Sequence, residues 1–142
     1  MKIRKCTQSD AEAVSRLSDQ LGYPVELDEA ERYLLEILQD SDHSVIVVED
    51  KNSVIAGWIH VFKTKRVFRN AFAEIVGLVV DEAKQGIGLG RALLEAAEEW
   101  AERNGCSAML IRSNVVRSQA HGFYEQAGYS VLKTQAVFRK GL

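Results

Sequence analysis

Along this chain the apolar positions recur at spacings of two, then of three and four, then of two again, the mark of strands alternating with helices. Lys2 to Cys6 predicts a short first strand. Thr7-x-x-Asp10 has the form of a capping box, and Val14, Leu17 and Leu21 then mark one face of a first helix, broken by Gly22-Tyr-Pro24. Asp28 stands where it can cap a second helix, whose apolar positions Ala30, Tyr33, Leu34, Ile37 and Leu38 keep helical spacing. Val45 to Val48 reads as a buried strand, turned by Asp50-Lys-Asn-Ser53 into another from Val54 to Phe62. The base-rich stretch from Lys63 to Asn70 predicts the exposed turn of the next hairpin, a solvated turn rather than a binding patch. Phe72 to Val80 predicts the central strand, and Gly88 to Asn104 the helix after it, with Gly105 as its left-handed stop. Ala108 to Ser113 predicts a strand. Arg117 to Ala127 predicts a helix with Ala120, Phe123, Tyr124 and Ala127 on one face, ended by Gly128. Tyr129 to Lys133 and Ala136 to Lys140 predict a closing antiparallel pair.

The order β-α-α-β-β-β-α-β-α-β-β is that of an α/β fold: a mixed central sheet with helices on both faces. Parallel neighbours need a crossover, and the helix after the central strand supplies it. At 142 residues the chain is expected to be a single domain, residues 1–142, large enough for a full core. A formal charge of −2 with interspersed acids and bases argues against a broad nucleic-acid surface. No apolar run approaches membrane-spanning length, and Met1 to Lys5 leads into no apolar signal region. Cys6 and Cys106 lie far apart with no metal-ligand spacing and read as small buried hydrophobes. The expected setting is therefore cytoplasmic, with no metal, no nucleic acid and no membrane partner. A homodimer through the last two strands is open, although no residue demands it.

Candidate chemistry concentrates in Glu74-Ile-Val-Gly-Leu-Val-Val-Asp-Glu-Ala-Lys-Gln-Gly-Ile-Gly-Leu-Gly-Arg91. Strand, glycine loop and helix follow in that order, which leaves bare backbone N–H groups at the positive end of a helix. Such a site takes a phosphate or pyrophosphate, and glycine lets it approach without meeting a Cβ. A Walker loop would end in Gly-Lys-Ser/Thr, and this one ends Gly90-Arg91-Ala92; a Rossmann fingerprint would space its glycines G-x-G-x-x-G, and here Gly86, Gly88 and Gly90 alternate.

The stretch resembles the acetyl-CoA-binding segment of the GCN5-related N-acetyltransferases, the GNAT superfamily. Gln85, Gly88 and Gly90 match its Gln/Arg-x-x-Gly-x-Gly/Ala loop, and Leu78-Val79-Val80-Asp81 the end of its fourth strand. Ala120-His-Gly-Phe-Tyr-Glu-Gln-Ala-Gly-Tyr129 is similar to the family's late A-x-x-F-Y-E-x-x-G-F/Y helix. The order of elements is also the family's, so the resemblance covers nearly the whole chain. It implies acetyl-CoA as co-substrate, transfer to a primary amine of a small molecule or protein, and an expected set of site residues. Loop amides from Gln85 through Gly86, Ile87, Gly88 and Leu89 to Gly90 would hold the pyrophosphate. Backbone groups at Leu78, Val79 and Val80 would bond the pantetheine arm and polarise the thioester. Arg91, Lys84 and Arg117 are candidates for pairing with CoA phosphates, and Ala120 lines the late motif.

Tyr124 matches the helix tyrosine that returns a proton to the departing thiolate, although an amphipathic helix could equally bury an aromatic there. Glu74 is the candidate base, since an acid in an apolar central strand is costly unless satisfied. Simple alternation puts it on one face with Val76, Leu78 and Val80, provided no bulge intervenes. Many relatives carry Asn seven positions before the helix tyrosine; here that position is Arg117, with Asn114 nearby, and either residue could take the cofactor contact. The combination Ser113-Asn-Val-Val-Arg117-x-x-Ala120-His121-x-Phe-Tyr124 is similar to a subgroup of the family that includes aminoalkylphosphonate N-acetyltransferases. His121 lies one turn before Tyr124, whereas His43 and His60 belong to no motif. Two other readings compete: a CoA-binding regulatory module without turnover, and an acyltransferase for a longer acyl-CoA.

Overall fold

The computed structural model describes residues 1–112 and 118–142. Its elements are β1 (Lys2–Lys5), α1 (Ala11–Leu21), α2 (Leu27–Leu38), β2 (His43–Glu49), β3 (Ile55–Arg66), β4 (Arg69–Val80), α3 (Leu89–Arg103), β5 (Met109–Ile111) and α4 (Ser118–Gln126). The chain divides into two compact units, Met1–Ile111 and Arg112–Leu142.

In the first unit the five strands lie in sequence order, antiparallel throughout except for the parallel pair β4–β5. Helix α3 makes that crossover. Helices cover both faces, as the sequence predicts. Leu17 of α1 and Leu34 of α2 bury against Val45, Val47, Trp58 and Val79, with Val14, Leu21 and Ile37 at the edge of the cluster. On the other face Leu93 of α3 and Val48 close on Gly57, and Leu94, Ala97 and Trp100 are buried on the same helix. Gly57 is required by close approach: a Cβ there would stand 2.8 Å from the Val79 carbonyl oxygen.

Several local readings hold and others shift. Asp10 accepts from the Thr7 backbone N–H at 2.8 Å, and its two oxygens take both ends of the Arg4 guanidinium. That fork holds the Asp10 carboxyl below the usual carboxylate range. Helix α2 starts one residue before Asp28: Glu26 is its N-cap, and the Glu29 carboxylate reaches back to the Glu26 N–H. Asp28 therefore sits in the first turn, facing the helix dipole rather than capping it. The base-rich stretch is strand rather than turn, because β3 and β4 run on to Arg66 and Arg69 and leave only Val67-Phe68 between them. Arg66 and Arg69 stack over the buried Phe72 ring, at 5.6 and 4.3 Å from its centroid.

In the second unit, taken alone, Gly128 ends α4 in the left-handed conformation, with the Tyr129 N–H on the Tyr124 carbonyl. The expected closing strand pair is absent, since residues 129–142 carry no strand. The two residues that would have to turn it, Thr134 and Gln135, include neither glycine nor asparagine, and the tight hairpin turns need φ > 0. Val131, Leu132, Val137 and Phe138 are exposed.

Candidate active site

The site-bearing part of the first unit is built on β4 and the turn that follows it. The β3–β4 ladder slips once: His60 pairs with Gly77, but Val61 pairs with Ile75, so Val76 stands as an extra residue without a partner. This β-bulge resets the alternation of the strand. Directly opposed residues share a face, so Glu74 (opposite Phe62) lies with Gly77 and Val79 on the side covered by α1 and α2. Leu78 and Val80 fall on the α3 side. The expectation that Glu74 shares a face with Val76, Leu78 and Val80 is thus overturned by one inserted residue.

Strand β5 pairs with β4 only at Ala73, Glu74 and Ile75. Beyond the bulge the β5-side edge of β4, which includes Leu78, Val79 and Val80, has no ladder partner among the described residues. Backbone N–H and C=O groups along that edge are available to an extended ligand arm. The Val79 side chain itself belongs to the core.

The turn after β4 is anchored from α1. Arg16 pairs with Asp81 at 3.1 Å, and Gln20 accepts from the Glu82 N–H at 2.9 Å. Asp81 also accepts from the Ala83 N–H, the principal cause of its lowered pKa. Gln85 donates its side-chain amide to the Val80 carbonyl, which closes the loop back on the strand. Lys84 is committed elsewhere: it meets Asp50 at 2.7 Å and draws that carboxyl down to about 2. It is therefore a brace between two loops rather than a free phosphate contact.

From Gln85 to Gly88 the loop is exposed. Gly86 and Gly88 take φ of +83° and +89°, and nothing lies within 4 Å of where a Cβ would stand at either. Gly88 is the N-cap of α3 and, having no side chain, makes no capping bond to the first turn of the helix. Helices α1 and α2 each carry acids in their first turn, and α3 carries none. The start of α3 therefore keeps its positive end for an external anion. Arg91, half-exposed, pairs along the helix with Glu95 at 3.1 Å. The glycine cradle, the uncapped helix and the open strand edge fit a pyrophosphate with an extended pantetheine arm.

In the second unit Ala120 and Tyr124 lie on α4, with His121 half-buried between them. Tyr124 packs edge-on to Phe123 and Tyr129, with centroids 5.1 and 5.9 Å away, and its burial pushes the phenol up to about 12. Among the described residues no group bonds its hydroxyl. Asn114 and Arg117 lie outside the described residues.

The model of the acetyltransferase (GNAT) family matches residues 11–129, taking in both the loop and the late helix. The chain belongs to that family. It is an acetyltransferase, and acetyl-CoA is its co-substrate. It is similar to the aminoglycoside N(6')-acetyltransferase type 1 of Stenotrophomonas maltophilia, 28% identical over 99% of this chain and 93% of that protein. Among solved structures it is similar to glucosamine-6-phosphate N-acetyltransferase from Arabidopsis thaliana, with TM-score 0.84, 28% identity and 97% of each chain covered. It is also similar to a transcriptional regulator from Bacillus halodurans, with TM-score 0.87, 26% identity, and 98% of this chain and 99% of that one covered.

The acetyltransferase loop makes a direct prediction. At φ +89° an added Cβ at Gly88 is strained, by about 1–2 kcal/mol on the left-handed backbone, and it would project into the open space that a phosphate bound at this loop is expected to use. Gly88→Ala is expected to fold, with a modestly lower Tm, and to bind CoA at least about tenfold more weakly. Titration calorimetry on the folded variant checks this; wild-type affinity would remove the loop from the cofactor site.

Sequence reasoning missed one cluster on Glu74's face. His43 Nδ1 and His60 Nε2 are 2.9 Å apart, and the His43 ring stacks on Phe62 at 5.1 Å. The two histidines are 17 positions apart and belong to different strands, so neither shows in a linear motif. Only the β2–β3 register, which sets Val45 opposite His60 and His43 opposite Phe62, brings them together.

Proposed function

We propose that residues 1–142 act as one N-acetyltransferase domain that moves the acetyl group of acetyl-CoA onto a primary amine of an amino sugar. The observation that carries this is the family match over residues 11–129; it is supported by two relatives named for amino-sugar acceptors. Between Gly22 and His43 the acids Glu26, Asp28, Glu29, Glu31, Glu36, Asp40 and Asp42 face a single base, Arg32. That balance favours a cationic, aminoglycoside-like acceptor over a phosphorylated one. Free Cys6 and Cys106 suit a cytoplasmic setting.

Acetyl-CoA supplies an activated acyl group, so the chain's residues have four tasks. Amides from Gln85 to Gly90 and the start of α3 hold the pyrophosphate, with Arg91 beside them. The backbone of Leu78, Val79 and Val80 seats the arm and donates to the acyl oxygen; a preorganised donor of this kind is worth about 3–4 kcal/mol. Glu74, directly or through water, takes the proton of the incoming ammonium. Tyr124 donates to the departing sulfur. Asn114 or Arg117 completes the cofactor contacts.

The test is release of free thiol when the full chain is mixed with acetyl-CoA and a panel of amines that includes kanamycin, glucosamine, spermidine and lysine. Turnover of an amino sugar is the expected result. CoA binding with no thiol release from any amine would favour a regulatory module, the reading that the similarity to a transcriptional regulator supports. Turnover only with longer acyl-CoA would favour the other acyltransferase reading.

A further inference from the structure

The His43–His60 pair has a determinate polarity. Asp40 Oδ1 accepts from the Asp42 N–H at 2.9 Å, and its other oxygen stands 3.8 Å from His43 Nε2. That distance is too long for a hydrogen bond, but a carboxylate beside Nε2 favours the proton on that nitrogen. His43 Nδ1 is then bare, so in the 2.9 Å contact it must accept, and His60 Nε2 must donate. The His60 proton is thereby placed on Nε2, and Nδ1 is left as a lone pair with no partner among the described residues. Burial, reinforced by the nearby His43, lowers the His60 pKa to about 4, so this ring is neutral at pH 7.

His60 and Glu74 share the face of the sheet under α1 and α2, opposite Gly77 and Phe62 respectively. Trp58 lies two residues before His60 on that face, 9% exposed. Its Nε1–H is the one buried side-chain polar atom without a partner among the described residues. A buried donor without a partner and a half-buried acceptor therefore lie along the same face as the carboxylate, His60 the nearer of the two. Lys63, the nearest base on β3, turns the other way and donates to the Asn104 carbonyl at 2.8 Å.

We infer that His60 is an acceptor-binding residue, held by His43 and Asp40 as a neutral imidazole whose Nδ1 accepts a hydrogen bond from the substrate ammonium, while the Trp58 Nε1–H meets a substrate oxygen. This rests on the amino-sugar reading above and adds the groups that hold the amine. A charged His60 would repel an ammonium; the neutral tautomer attracts it and leaves Glu74 to receive the proton.

Two measurements on the full chain test it. First, nitrogen NMR of histidine-labelled protein reads the tautomers without any turnover. Both rings are expected as Nε2–H, with His60 Nδ1 shifting when kanamycin is titrated in. An Nδ1–H form at His60, or no shift at saturating kanamycin, overturns the inference. Second, His60→Leu is expected to raise KM for the amine by about 10- to 100-fold, the scale of a lost hydrogen bond to a charged group. Its kcat, its KM for acetyl-CoA and its Tm should stay near wild type. His60→Asn, whose amide oxygen can stand in for Nδ1, should recover most of the loss. Unchanged amine KM in His60→Leu, or an equal rise in both KM values, overturns the inference. A wild-type protein that turns over no amine sinks the amino-sugar reading instead, and the NMR result then still decides the role of His60.

Discussion

Replacing Tyr124 by Phe is expected to lower kcat by about 10²–10⁴-fold, the span of general-acid catalysis, and to leave the fold almost untouched. The substitution removes one oxygen and keeps the ring, so the edge-on contacts to Phe123 and Tyr129 survive. No described group loses a hydrogen-bond partner. Burial raises the phenol pKa to about 12, which has two consequences of opposite sign. The proton is held throughout the working pH range, so the donor is always loaded. Yet full transfer to a thiolate, whose own acid has a pKa near ~8.5, runs uphill, and the hydroxyl acts as a strong hydrogen-bond donor as charge builds on sulfur. The pH profile of wild-type kcat should therefore show no alkaline fall from Tyr124 below about pH 11. CoA affinity should weaken by about one hydrogen bond, roughly 1 kcal/mol. A tyrosine kept only for packing gives the reverse pattern, a lower Tm with kcat retained by the folded fraction. Measuring Tm and kcat on one preparation of Tyr124→Phe separates the two, and near-normal kcat ends its role as acid.

What could be read from the sequence was whatever depends on neighbouring residues. Helices α1 and α3 follow from apolar spacing, and Gly22, Gly105 and Gly128 stop their helices in the left-handed conformation at the expected places. The loop was legible for the same reason, because positive φ at Gly86 and Gly88 is a local demand that only glycine meets cheaply. The bulge at Val76 was not. Nothing in Ile75-Val76-Gly77 distinguishes a residue that pairs from one that does not, because the slip is set by β3 as much as by β4. One extra residue reverses the side on which Glu74 lies, so the face of the candidate base waited on register. The His43–His60 contact is hidden by the same logic, since it exists only after two ladders are aligned. The expected closing hairpin failed for a different reason: alternation over Tyr129 to Lys140 suggests strands, but strand formation needs a partner and a turn that alternation does not provide.

The reversed face changes what Glu74→Gln should do. On the α3 side the carboxylate would meet the core that carries Leu93; on the α1 and α2 side it lies half-buried beside His60 and the stacked His43–Phe62 pair. Gln keeps the shape and removes the charge, so the β4 pairings to Phe62 and Leu110, which are backbone contacts, persist. An ammonium must lose a proton before it can attack, and the carboxylate is the only acid on this strand between Phe72 and Val80. Turnover of Glu74→Gln is therefore expected to fall by about 10²–10⁴-fold near pH 7, with acetyl-CoA affinity unchanged. The deficit should shrink as pH rises toward the amine's own pKa, near ~10 for an alkylamine, because solvent then removes the proton beforehand. A structural glutamate behaves otherwise: Tm drops, and whatever rate survives keeps the wild-type pH profile. Calorimetric CoA titration, Tm and kcat between about pH 6 and pH 9 distinguish these cases. Full activity across that range would mean that the proton leaves through water alone, and that Glu74 serves this face as a counter-charge for the amine rather than as its base.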